Sequence, residues 1–149
     1  MKLLASAFSF SLLLSSFAFA AKPFPAPPQN YVYDDAGLLS AGAKQELFQK
    51  LSAEDRATQT QIIVGIFQSL DDEDLVDYTN RLFKAWKIGD AKKDNGALLT
   101  VFVKEHKVRI EVGYGLEPVL TDALSKRIIT EVLSPAFAQK QFDQGVIQS

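Results

Sequence analysis

The stretch ALLTVFVKEHKVRIEV, Ala97 to Val112, does most to limit what this chain can fold into. Its first half is apolar without interruption, as in a strand covered on both faces at the centre of a sheet. Its second half alternates: Val108, Ile110 and Val112 point one way, Arg109 and Glu111 the other. That strand has a wet face or lies at an edge. The charged break between them predicts a hairpin. With Glu105 and His106 as a two-residue turn, Lys104 faces Lys107, Gly96 faces Gly115, and Asp94 comes close to Glu117. A longer turn shifts that register by a residue or two.

The elements around the hairpin follow from periodicity. QIIVGIF, Gln61 to Phe67, is a second buried strand. Ser40 stands as N-cap of a helix over about 41–56, with Leu47, Phe48 and Leu51 on its apolar face. Asp71 to Asp74 open another helix, where acids complement the positive end of the helix dipole. Leu75, Tyr78, Leu82 and Trp86 form its stripe and Gly89 stops it. A helix with Leu124, Ile128 and Val132 inward ends at Pro135, and a last one carries Phe137, Phe142 and Val146. Val32, Leu38 and Leu39 anchor an irregular segment ahead of the first helix. The pattern predicts a mixed sheet of about four strands with helices on both faces. A right-handed crossover through the helix after Gln61–Phe67 makes that strand parallel to the first hairpin strand.

Residues 1–20, MKLLASAFSFSLLLSSFAFA, read as a signal peptide: Lys2, an apolar run, then Ala18-Phe19-Ala20 as a cleavage site. Residues 21–30, AKPFPAPPQN, read as an extended proline-rich tether, and 31–149 as the domain. The expectation is export to the periplasm or the outer side of a membrane. The chain ends inside a helix, which leaves open whether a further C-terminal part follows. There is no cysteine, which excludes disulfides and thiolate chemistry within these residues. The formal charge is −2, one unit more negative once Lys2 leaves. No basic stripe marks a nucleic-acid partner, and no phosphate loop or dinucleotide fingerprint marks a nucleotide cofactor. His106, the only histidine, falls in the hairpin turn, away from the carboxylates.

The open end of the hairpin is the candidate site. Asp94, Asn95, Glu117 and Asp122 supply oxygens of the kind that hold Ca²⁺ or Mg²⁺. Gly96, Gly113 and Gly115 let backbone approach a ligand, and Tyr114 between the last two can stack on it. Plainer roles compete. Asp-Asn-Gly is ordinary turn chemistry, Thr121 or Asp122 can be a helix cap, and Glu117 can pair with Lys92 or Lys93.

VYDDAGLLS, QIIVGIFQSL, RLFKAWKIG, DNGALLTV, RIEVGYGLEPVLTDA and SPAF stand in the order seen in the TPM domain family, which this chain resembles from about Tyr31 onward. The resemblance implies a three-layer α/β/α sandwich and export or membrane association. It adds Asp34 to Asp94, Asn95, Glu117 and Asp122 as a matching polar position. Lys87 and Pro118 stand where relatives commonly have glycine. Two functions follow as expectations. One is a calcium-binding module that assists or modulates membrane proteins or other envelope components. The other is a metal-dependent acid phosphatase acting on phosphate monoesters.

Overall fold

The computed structural model describes residues 23–149; the expected signal peptide lies outside them. Four strands form one sheet in chain order: β1 (Val32–Asp34), β2 (Gln61–Phe67), β3 (Gly96–Phe102) and β4 (Lys107–Val112). β1 and β2 are parallel, as are β2 and β3, and β4 runs antiparallel at the edge. β3 is buried along its whole length, as its unbroken apolar run requires. The segment expected to be irregular supplies β1, which pairs Val32 with Val64 and Asp34 with Ile66.

Alternation splits the sheet residues between two cores. On one face Val32, Val64, Ile66, Leu99 and Val101 pack against Ala43 and Leu47 of α1 (Ala41–Thr58) and against Leu133 and Val146 of the C-terminal helices. On the other face Ile63, Phe67, Leu98 and Phe102 pack against Leu82 and Trp86 of α2 (Leu75–Trp86). Phe67 and Phe102 stack at 5.4 Å, and the Tyr78 ring meets Phe102 edge-on at 5.4 Å. Phe48 lies 38% exposed, off the core face expected for it.

The two crossovers step the same way across the sheet, yet α1 and α2 lie on opposite faces. They therefore have opposite hands, and only one follows the right-handed rule. This places the helices in layers on both sides of the sheet.

Three local expectations are corrected. Gly89 does not end α2; Lys87 does, in the left-handed region at φ 51°. Pro135 does not break the C-terminal helix. α3 (Asp122–Arg127) passes through a π-helical segment, Ile128–Leu133, into α4 (Ser134–Ala138), and Pro135 sits inside this continuous helical path, directly after the π-helical segment. The break comes at left-handed Lys140, before α5 (Phe142–Gln148). Within α3 it is Ser125 that is buried, while Leu124 is 38% exposed.

The proline-rich segment does not stand off the domain over its described part. Phe24 meets Tyr78 at 5.1 Å, and Trp86 Nε1 donates to the Pro25 carbonyl at 2.8 Å. Its aromatic and carbonyl groups complete the α2 face, a role that proline content alone does not reveal.

Candidate functional site

The hairpin turn spans Val103–His106, so Phe102 pairs with Lys107 and the partner of Gly96 moves from Gly115 to Gly113, whose N–H donates to the Gly96 carbonyl at 2.8 Å. Asp94 then lies against Gly115, not Glu117: Gly115 N–H donates to the Asp94 carbonyl at 2.9 Å. Asp94 Oδ2 accepts the Tyr114 N–H at 3.0 Å. Asn95 is buried, its Oδ1 accepting the Asp90 N–H at 2.8 Å while its Nδ2 donates to the Gln59 carbonyl.

The glycines expected to admit a ligand admit the chain's own backbone. A Cβ on Gly115 would sit 1.9 Å from the Lys93 carbonyl oxygen, one on Gly113 2.3 Å from that of Asp94, and one on Gly96 2.6 Å from that of Ile88. Tyr114 is 79% exposed on the outside of this knot.

Asp34 is elsewhere. It pairs with Ile66, at the far end of β2 from Gln61, where Asn95 is bonded, a separation of roughly 16 Å at the rise of a strand. Its carboxylate is 1% exposed, accepts the Leu38 and Leu39 N–H groups at 2.9 and 3.1 Å, and pairs with Lys44 at 2.8 Å. Burial pushes its pKa up, but Lys44 and the two N–H groups outweigh burial and the net shift is down. Glu117 and Asp122 are exposed, and Thr121, not Asp122, caps α3. Among the described residues no three His, Asp or Glu side chains group to hold a metal ion. The five oxygen-bearing residues named from the sequence do not fit a single preformed Ca²⁺ or Mg²⁺ centre.

A better-formed site opens at the opposite end of the sheet. From β1 the chain turns to the α1 face; from neighbouring β2 it turns to the α2 face. Where adjacent connections diverge beyond the carboxyl ends of strands, an open α/β sheet has a natural crevice for ligands. Here it measures about 490 Å³. Asp35 lines it from the β1 end, Gln68, Ser69, Asp71 and Glu73 from the β2–α2 loop, and Tyr78 from α2; Pro23 and Pro25 close one side.

The loop is held from outside. Glu105, in the hairpin turn, accepts Ser69 Oγ–H at 2.8 Å and the Leu70 N–H at 3.0 Å. Ser69 Oγ accepts the Asp71 N–H at 3.0 Å, and Asp71 and Asp72 are both left-handed, at φ 52° and 63°. Arg81 pairs with Glu73 and, at 2.7 Å, with Asp77, and its guanidinium lies 5.3 Å from the Phe24 ring. Burial first, then the negative charge of Glu73, pushes the Tyr78 phenol up to about 12. It remains a neutral hydroxyl across physiological pH. The arrangement offers carboxylates, hydroxyls and an aromatic wall, with no Lys or Arg among the described lining residues.

Sequence reasoning passed over this crevice because it read the Asp71–Asp74 run as a solvated helix start and did not recognise β1. The available signal was an acid just past the carboxyl end of each of two parallel strands, Asp35 and Asp71.

The fold and crevice define a three-layer α/β protein with a ligand-sized cleft at a strand switch point. The TPM domain family matches residues 32–149, and the chain belongs to it. Among solved structures, it is similar to the N-terminal domain of a protein from P. gingivalis, at 34% identity and TM-score 0.75, over 80% of this chain and 76% of that one. The N-terminal domain of the cg2496 protein from Corynebacterium glutamicum shares the fold at 18% identity and TM-score 0.62, covering 87% and 81%. The BA42 protein from the psychrophilic bacterium Bizionia argentinensis shares it at 21% and 0.64, covering 77% and 78%. No curated protein matches the chain significantly.

Proposed function

We propose that this TPM domain works on the exported side of a membrane as a binding module for envelope proteins, taking a positively charged segment of its partner into the crevice between Asp35 and the Ser69–Glu73 loop. The observation that carries this reading is the cleft itself. Asp35, Asp71 and Glu73 line a space of about 490 Å³ with no Lys or Arg among its described lining residues; Arg81, just outside it, pairs with Glu73, and the excess of carboxylates over that one guanidinium favours a cation-bearing partner. Tyr78 and the Pro23–Pro25 segment add apolar area beside the charges. Export rests on the basic and apolar pattern of residues 1–20.

The test is titration of the exported form with a short lysine-rich peptide and a glutamate-rich peptide of equal length. The lysine peptide binds, its affinity falls with added salt, and Asp35→Asn with Asp71→Asn weakens it at least tenfold. Absence of saturable binding at low salt would sink the reading. The family model also bears the label phosphatase, so a parallel arm measures phosphate-ester hydrolysis with Ca²⁺, Mg²⁺ or Mn²⁺. Turnover that Asp35→Asn abolishes would replace a binding module with an enzyme.

A further inference from the structure

On the other face of the sheet, at the hairpin-turn end, lies a second cavity, of about 480 Å³. The chain reverses at left-handed Lys140, between α4 and α5, and the cavity lies between this turn and the hairpin-turn ends of β3 and β4. Leu38, Val101, Val108, Phe137 and Phe142 form its walls. Its volume is that of a small-molecule site.

The mouth is chemically different from the walls. His106, Lys107 and Lys140 line it, all three exposed. None of the three side chains makes an ion pair or a hydrogen bond among the described residues, and no Asp or Glu lines the cavity. Glu105, next to His106 in the turn, is drawn away to Ser69 and Leu70. His106 and Lys140 are both left-handed, at φ 51° and 59°. The π-helical segment Ile128–Leu133 ends at the wall residue Ser134. Such segments are frequent beside functional sites.

An apolar pocket with an unneutralised basic rim complements one kind of molecule: an aliphatic chain ending in an anion. We infer that this cavity binds a single-chain anionic amphiphile of the fatty-acid class, with the chain against Val101, Val108 and Phe137 and the carboxylate at Lys107 and Lys140. This site is separate from the acidic crevice, and the inference does not depend on the function proposed for that crevice.

Dodecanoate is the probe, added below its critical micelle concentration to the exported form and followed by calorimetry and by amide chemical shifts. It binds once per chain, and the shifts cluster at Val103, Val108 and Phe137. Lys107→Glu with Lys140→Glu changes only exposed side chains and weakens binding at least tenfold. Dodecyltrimethylammonium, with the opposite charge, binds native protein more weakly and the reversed variant more tightly. Ala138→Trp fills the cavity and abolishes binding; if that variant fails to fold, the charge reversal decides alone. The inference is overturned by no saturable binding, by equal affinity in the charge-reversed variant, or by shifts confined to other regions. Concentration-dependent self-association that the same reversal abolishes, with no dodecanoate binding, would assign the cavity to a contact between copies and also overturn it.

Discussion

Asp34 shows how a single carboxylate can look like a ligand in sequence and serve as a brace in the fold. Its oxygens are committed to Lys44 and to the Leu38 and Leu39 N–H groups, which fix the turn from β1 into α1. Asp34→Ala leaves those buried donors without a partner and is expected to lower unfolding free energy by about 2–3 kcal/mol, read by urea denaturation. The pH dependence has a definite sign. The folded-state pKa is depressed below the ordinary 3.8, so this contribution is present above that value and disappears as pH falls through the folded pKa. The Asp34→Ala variant should therefore lose less stability than wild type on acidification below about pH 4. An equal loss in both would show that the brace is not electrostatic.

At the scale of elements, the end of α2 shows where local chemistry and backbone geometry disagree. Lys87 holds φ 51°, with its N–H on the Lys84 and Phe83 carbonyls, a C-terminal position that favours glycine. Lys87→Gly removes the Cβ from a left-handed residue and should raise stability by about 0.5–1 kcal/mol, visible as a higher denaturation midpoint. No gain would mean the lysine side chain compensates on the helix surface. The hairpin was legible as a hairpin because apolar run, charged break and alternation are local signals. Its register was not. Local sequence does not separate a two-residue from a four-residue turn, and in the longer turn that forms Glu105 meets the β2–α2 loop at Ser69 and Leu70, a contact distant in the chain.

For the molecule as a whole, the α2 face joins the sheet, the proline-rich segment and the acidic crevice through one residue, Tyr78. Its phenol is pushed up to about 12 by burial and by Glu73. Because the folded-state pKa lies above the ordinary 10.0, the resulting stability is complete below pH 10 and is lost as pH rises toward 12. Tyr78→Phe should flatten the alkaline fall in stability between those values. A profile identical to wild type would show that the phenol is not desolvated in solution. The same face seats Phe24 on the Tyr78 ring and the Pro25 carbonyl on Trp86 Nε1.

The sequence by itself determined the order of the main helices and strands, the buried centre of the sheet, the hairpin and the family. All of these rest on periodicity, capping and motif order, which act over a few neighbouring residues. Only the tertiary structure decided which end of the sheet carries the cleft. That depended on recognising Val32–Asp34 as a strand, and three residues give no periodicity to read; β2 makes them a strand by pairing with them. It depended as well on which face each crossover takes, a choice made by packing of α1 and α2 rather than by any local pattern. Asp94 and its glycines, brought together across the hairpin, fold into a knot of mutual backbone bonds. Asp35 and Asp71, far apart in the chain, line the same crevice because their strands are adjacent and parallel.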